Sequence, residues 1–343
     1  MEDKSTLELL YLRGQITRRQ MLAGIGMLAA GMSIGSVLAA CTTSTATKPT
    51  TSAIDAKGEV VIWDSPGDLY QVADAAIPAF NAKYPNIKVT HQAVETATTT
   101  SAPKLPVALV TNVNVPDGAY LQNEQIGTIQ DYLYDVTDWI QPYVKDIVGF
   151  NLRVNTDGRG RIKGIPYDAD PAFLFYRDDI IKQYGLSVDG VQTYDDLLNL
   201  ARQLRAKDRS MRPIRVENDP NVIVLWTSMF ANQQGTSYVD SAGKLRLNSD
   251  AFLRILKFYK TVVDEGLGVP VTIASPDDIA ASDKGVQVLA PTAIWFNFFV
   301  GNLFKDSRGK WRATRLPAWT SGGARAASMG GSSFLIPAKA RRP

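Results

Sequence analysis

Few side chains in this sequence could carry covalent or metal chemistry. The chain of 343 residues has one His, His91, and one Cys, Cys41. A lone Cys excludes an internal disulfide, and a zinc site built on Cys and His lacks ligands. Histidine-dependent catalysis would rest on His91 alone, which ends an alternating segment and reads as a packing or surface residue. Asp64 follows a short apolar run, where it could accept a hydrogen bond from a ligand or serve a turn. Asp168 and Asp170, in Tyr167-Asp168-Ala169-Asp170-Pro171, could accept ligand hydroxyls or cap a turn. They lack the further oxygen ligand, glycine and distal Glu of a calcium loop, so no metal and no cofactor is expected. Two other patterns are decoys. Gly31-Met32-Ser33-Ile34-Gly35 matches a nucleophile elbow, but no strand-to-helix turn surrounds it. Gly158, Gly160 and Gly164 sit among Asp157, Arg159, Arg161 and Lys163 with no helix signal following, which predicts a solvated hairpin rather than a phosphate loop.

Composition bounds the class. Hydrophobic residues make up 45% and charged residues 21%, with Lys+Arg 37 against Asp+Glu 34. That excludes a polytopic membrane protein and a disordered chain, and it predicts no nucleic-acid partner. Residues 1–40 read as an export signal. Arg18-Arg19 precede a Gly-rich apolar stretch, Met21 to Ala40, as in a twin-arginine signal. Leu38-Ala39-Ala40-Cys41 resembles a lipobox, in which Cys41 is lipidated and becomes the mature N-terminus. A retained transmembrane anchor is the alternative. Residues 41–57, rich in Ser, Thr, Ala and Pro, form a flexible tether.

Beyond the tether, strand and helix patterns alternate. Strands are expected at 59–64, 87–91, 117–121, 161–166, 172–177, 243–247, 286–289 and 329–336. Helices are expected from Leu69 to about Tyr84, at 102–110, 123–131, 221–231, 249–265 and 294–304, and after Ser275-Pro276. Thr193 and Asp196 resemble a capping box, with Leu197, Leu200, Ala201 and Leu204 on one face of the helix they start. The alternation predicts parallel α/β sheets. Strand-to-strand passage at Pro166–Pro171 predicts a crossover between two lobes, 58–167 and 168–328, with 329–343 returning to the first. Ligands of open α/β sheets bind at strand carboxyl ends.

Several segments together resemble the extracellular solute-binding proteins of ABC transporters, in the sugar-binding branch. They are Trp63-Asp64, Pro116-Asp117-Gly118-Ala119-Tyr120, Gly164-Ile165-Pro166-Tyr167-Asp168 running into Leu174-Phe175-Tyr176-Arg177-Asp178-Asp179, Thr193-Tyr194-Asp195-Asp196-Leu197, Ala293-Ile294-Trp295, and Gly330-Gly331-Ser332-Ser333-Phe334-Leu335-Ile336-Pro337. The resemblance implies a two-lobed type II periplasmic-binding-protein fold, α/β in class, with a ligand cleft between the lobes. The family pattern continues into C-terminal helices, and against it this chain looks truncated. Trp295-Phe296-Asn297-Phe298-Phe299 is also bulkier than the family's usual segment.

On that reading the ligand residues are Trp63, Asp64, Tyr120, Asn123, Asp168, Trp226, Trp295 and Asn297. Flat rings cover sugar C–H faces and fixed polar groups meet the hydroxyls. For each Trp the competing role is core packing. The implied protein is no enzyme. It is a monomeric, lipid-anchored receptor on the outer face of the cytoplasmic membrane, which passes a carbohydrate to a permease. The rival is a secreted hydrolase with carboxylates such as Asp64 and Asp168 about 5–10 Å apart across the sugar. An inactive relic of a binding protein is the third reading.

Overall fold

The structure, a computed structural model, describes residues 56–64, 68–94, 104–220, 222–240 and 244–340. The expected export signal, the motif at 31–35, Cys41 and most of the expected tether lie outside the described residues. The remainder builds two α/β lobes around two five-stranded sheets.

The first sheet has the order β2-β1-β3-β10-β4. Its strands are β1 (Gly58–Asp64), β2 (Ile87–Ala93), β3 (Gly118–Gln122), β4 (Ile165–Pro166) and β10 (Ser332–Leu335). The second has the order β7-β6-β8-β5-β9. It comprises β5 (Ala172–Arg177), β6 (Ile214–Glu217), β7 (Gly268–Val271), β8 (Leu289–Ala293) and β9 (Trp311–Arg315). The sheets are mixed, not parallel as the alternation predicts. β1 pairs parallel with β2 and β3, but β10 runs antiparallel to β3 and β4. In the second sheet β6 is parallel to β7 and β8, while β5 is antiparallel to β8 and β9. The reason is the crossover. β5 and β10 each start where the chain arrives from the other lobe, so they run away from the end toward which β1, β3, β6 and β8 run.

Two crossing segments make that passage side by side. Pro171 and Ser328 form an antiparallel bridge. Ala172 N–H donates to the Ala327 carbonyl at 2.9 Å, and Met329 N–H to the Asp170 carbonyl at 2.9 Å. Paired crossing segments of this kind are where two packed lobes can rotate about a few backbone torsions.

Local signals hold where the chemistry is local. Thr193 accepts from the Asp196 N–H and Asp196 from the Thr193 N–H, closing the capping box of the helix Tyr194–Lys207. Leu197, Leu200, Ala201 and Leu204 of that helix are buried in the second lobe's core, with Phe230, Ile255 and Phe258. The 156–162 segment is a hairpin. Asp157 accepts from the Arg159 and Arg161 backbone N–H groups and pairs with the Arg161 side chain at 2.8 Å. Other boundaries move. The 286–289 expectation becomes β8 at 289–293, with Pro291 inside the strand. The expected strand at 243–247 is only an isolated Val239–Leu245 bridge among the described residues. The helix expected at 123–131 stops at Ile126 and resumes as a 3-10 turn at Gln130–Tyr132. β6, β7 and β9 are absent from the sequence expectation. β6 reads Ile-Arg-Val-Glu, an alternation only four residues long, and β7 contains Pro270.

Candidate functional site

Strand direction gathers a particular set of side chains at the crossing segments. β1 and β3 deliver Asp64 and Gln122–Asn123 there, β8 delivers Trp295, and β10 begins there after Gly330-Gly331. The crossing itself is clamped by carboxylates. The Asp170 Oδ2 accepts the Gly331 N–H at 2.8 Å, and the Asp168 Oδ1 accepts the Ser332 N–H. The Asp168 carbonyl accepts from the Asn151 side chain. Asp168 therefore acts as a clamp within the hinge. This clamp uses one carboxylate oxygen of Asp168, whose sequence-based role is that of a hydroxyl acceptor.

Gly330 and Gly331 have φ of +102° and +98°, a region that L side chains rarely adopt. A Cβ on Gly331 would stand 2.8 Å from the Asn123 Nδ2 and 3.0 Å from the Asp168 carbonyl oxygen. Gly331→Ala is expected to destabilise the fold by about 1–3 kcal/mol through backbone strain alone. Thermal unfolding measures this, and a melting temperature equal to the parent's would show that the crossing relaxes around the methyl.

Asn123 is 2% exposed and works on the same clamp from the first lobe. Its Oδ1 accepts the Ser333 hydroxyl at 2.6 Å, and its N–H donates to the Gly331 carbonyl at 2.9 Å. Burial removes it from direct ligand contact and makes it a fastening of β10. Glu124, which the sequence reading passes over, follows it at the start of the helix Asn123–Ile126.

Tyr120 is the ring that strand β3 places at this end of the first lobe. It is half-buried, packed edge-on against Tyr167 and Phe334 with centroids 5.0 Å away in each case. Desolvation first, then Tyr167 and the Asp64 charge, push its hydroxyl pKa up to about 12. The phenol thus stays neutral and can both donate and accept hydrogen bonds across the physiological range. Tyr167 is exposed and extends the aromatic surface. The sequence reading has it at the crossover and in the family-like Gly164–Asp168 segment, but not among the ligand residues. Its signal was the position just after β4 and beside Asp168.

Asp64 is 3% exposed, with one carboxylate oxygen 3.9 Å from the His91 Nε2. The His91 ring stacks on Tyr70 at 4.1 Å, and its Nδ1 lies 3.5 Å from Asp74. Trp63 points elsewhere. Successive strand residues face opposite sides of a sheet, and Trp63 pairs with Ala119 while Asp64 falls on the Tyr120 side. The Trp63 indole donates to the Gln92 Oε1 at 2.9 Å. It lines a cavity of about 650 Å³ with Val61, Val115, Pro116 and Lys339. Trp63 and Asp64 therefore do not share one face, as a joint role at one ligand would require.

In the second lobe the aromatic residues divide. Trp226 is 3% exposed, and its indole donates to the Pro291 carbonyl at 3.0 Å. It is core, and its sequence-based role as a ligand residue is corrected by its burial. Trp295 lies half-buried directly after β8. Its indole donates to the Met329 carbonyl in the second crossing segment at 3.2 Å. Trp226 and Phe299 pack against it edge to face, both at 5.8 Å. Asn297 is exposed on the first turn of the helix Phe296–Asn302. The structure thus brings together Asp64 with Tyr120, Asn123 with Asp168, and Trp295 with the crossing segments, while Trp63 faces the other side of its sheet and Trp226 lies in the core behind Trp295.

Two mixed α/β sheets, joined by clamped crossing segments and bearing aromatic rings at the converging ends, define a hinged binding protein. The family described as bacterial extracellular solute-binding protein matches residues 63–343, and the chain belongs to it. The chain is similar to an arabinooligosaccharide-binding protein of Bacillus subtilis (strain 168), 24% identical over 290 residues, covering 82% of this chain and 66% of that protein. It is also similar to a lactose-binding protein of Rhizobium radiobacter, 25% identical over 297 residues, covering 81% of this chain and 66% of that protein. It therefore spans just under two thirds of the length of these relatives. Among solved structures, the galacto-N-biose/lacto-N-biose I-binding protein of an ABC transporter from Bifidobacterium longum superposes with a TM-score of 0.69. That match is at 18% identity and covers 83% of this chain and 71% of that one. The fold is the two-lobed type II periplasmic-binding-protein fold.

Proposed function

We propose that this protein is the substrate-binding component of an ABC importer and captures an oligosaccharide between its lobes. The observation that carries the reading is the set of rings at the crossing. Tyr120 and Tyr167 stand at the end of the first lobe's sheet, and Trp295 at the end of the second. A sugar bound there would touch both lobes, so it would bind the closed form more tightly and shift the population toward closure. The named binding functions of the relatives support a saccharide rather than another solute.

The residues also disfavour the hydrolase. Its two candidate carboxylates are committed elsewhere, Asp168 to the Ser332 amide and Asp64 to a buried position beside His91. Titration calorimetry against arabinooligosaccharides, lactose and other di- and trisaccharides is expected to show saturable binding, with the sugar recovered intact. Release of shortened product would move the protein to the hydrolases, and silence across the panel would remove the saccharide reading.

Export and lipidation at Cys41 belong to the same reading, because a receptor that serves a permease gains from tethering to its membrane. A single acyl chain holds a protein only marginally and two or more hold it firmly. Cys41→Ser is expected to leave the signal uncleaved and to abolish incorporation of labelled palmitate. Unchanged processing and labelling would place the anchor elsewhere.

A further inference from the structure

A buried charge cluster stands behind the aromatic pair of the second lobe. Arg215 of β6 is 4% exposed, Glu217 2% and Asp278 0%. The Arg215 Nε and Nη2 donate to the two Asp278 carboxylate oxygens at 3.1 and 3.3 Å, and Nη2 lies 3.6 Å from Glu217. The backbone fixes both acids in turn. Glu217 accepts the N–H groups of Asn218, Asp219 and Ile273, and Asp278 that of Ala274. Burying three charged groups is weak evidence for stability, since a well-packed apolar set often does as well. A registry or positioning role is the better-attested use of such clusters.

The guanidinium has one further neighbour. Its central carbon lies 5.2 Å from the centroid of the Trp226 ring. Trp226 meets Trp295 at 84° between ring planes. A continuous chain of contacts thus runs from Asp278 and Glu217 through Arg215 and Trp226 to Trp295, and from its indole N–H to the Met329 carbonyl at the hinge.

We propose that Arg215 is a positioning residue of the solute site. Locked by Asp278 and Glu217, it sets the plane of Trp226 and, through it, the plane of the Trp295 ring against which the solute packs. This rests on the reading of Trp295 as the stacking residue. The cluster lies wholly inside the lobe and touches no solute itself. Its effect is orientational. Dispersion contacts fall off within an ångström, so a tilted ring loses part of its contact with a flat sugar face.

The test has a ligand-free arm and a ligand arm. In full-length protein carrying 15N-labelled indoles, Trp295→Phe identifies the Trp295 N–H resonance. Arg215→Met together with Asp278→Asn removes the guanidinium without stranding its main partner. This pair is expected to shift that resonance and speed its exchange with solvent. A folded variant with the resonance unmoved overturns the proposal, whatever the solute proves to be. In the ligand arm, calorimetry with arabinotriose is expected to show binding about tenfold weaker in the pair variant. In a Trp295→Ala background the same pair is expected to cause no further loss, and additive losses overturn the proposal. If wild-type protein ignores arabinotriose and lactose alike, the saccharide reading fails while the resonance still decides the part of Arg215. Should the pair variant not fold, Arg215→Lys keeps the charge and loses the planar contact with Trp226. The same resonance shift is then expected, and its absence again overturns the proposal.

Discussion

Replacing Asp278 with alanine is expected to lower the unfolding free energy by about 3–5 kcal/mol, the usual cost of stranding one member of a buried ion pair. Asp278 is fully buried and takes two of the Arg215 donors. It also accepts the N–H of Ala274, a non-glycine residue held at a φ of +59°. Its loss leaves a buried guanidinium whose remaining carboxylate neighbour, Glu217, is 3.6 Å away. Native domains are stable by only about 5–15 kcal/mol, so the substitution should remove a large share of the second lobe's margin. Urea unfolding followed by circular dichroism measures it as a fall in midpoint at constant slope. Asp278→Asn keeps the shape and an acceptor for Ala274, and is expected to lose less. Equal midpoints for Asp278→Ala and the parent would mean that water reaches Arg215 and the cluster is not a sealed one.

Trp295→Ala is expected to weaken oligosaccharide binding roughly 5- to 150-fold, which corresponds to about 1–3 kcal/mol for an indole face covering an apolar sugar surface. The substitution also frees the Met329 carbonyl from its 3.2 Å hydrogen bond. Trp295→Phe separates the two effects, since it keeps a ring and loses the N–H. Calorimetry on both variants, with circular dichroism to show that each is folded, resolves stacking from tethering. An affinity unchanged in folded Trp295→Ala would assign the ring to the core beside Trp226.

Much of the fold was legible because its signals are local. The capping box at Thr193 and Asp196 and the apolar face after it can be read without knowing their partners, as can the turn at Gly160. β6 was not legible for the opposite reason. Its Arg215 and Glu217 look like surface residues until Asp278, distant in sequence, arrives to pair with one of them. β8 lies further along than expected and runs through Pro291, since a strand tolerates proline where no ladder N–H is needed at that position. Trp63 and Asp64 were both placed at the ligand because both stand at the end of β1. In a strand, adjacency is what separates two side chains onto opposite faces.

The sequence by itself determined the class of the protein: an α/β chain of two lobes that resembles the solute-binding family, with the crossing near residues 166–171. Those features depend on periodicity, on turn chemistry and on motifs a few residues long. The tertiary structure alone decided which partners each candidate side chain meets. Asp168 and Asn123 turned out to fasten the crossing, Trp226 to fill the core, and Tyr120, Tyr167 and Trp295 to stand at the converging sheet ends. Exposure and partnership are properties of the packed chain, set by residues more than a hundred positions apart such as Asp168 and Ser332. No local pattern encodes whether a carboxylate will meet a ligand hydroxyl or a backbone amide of its own chain.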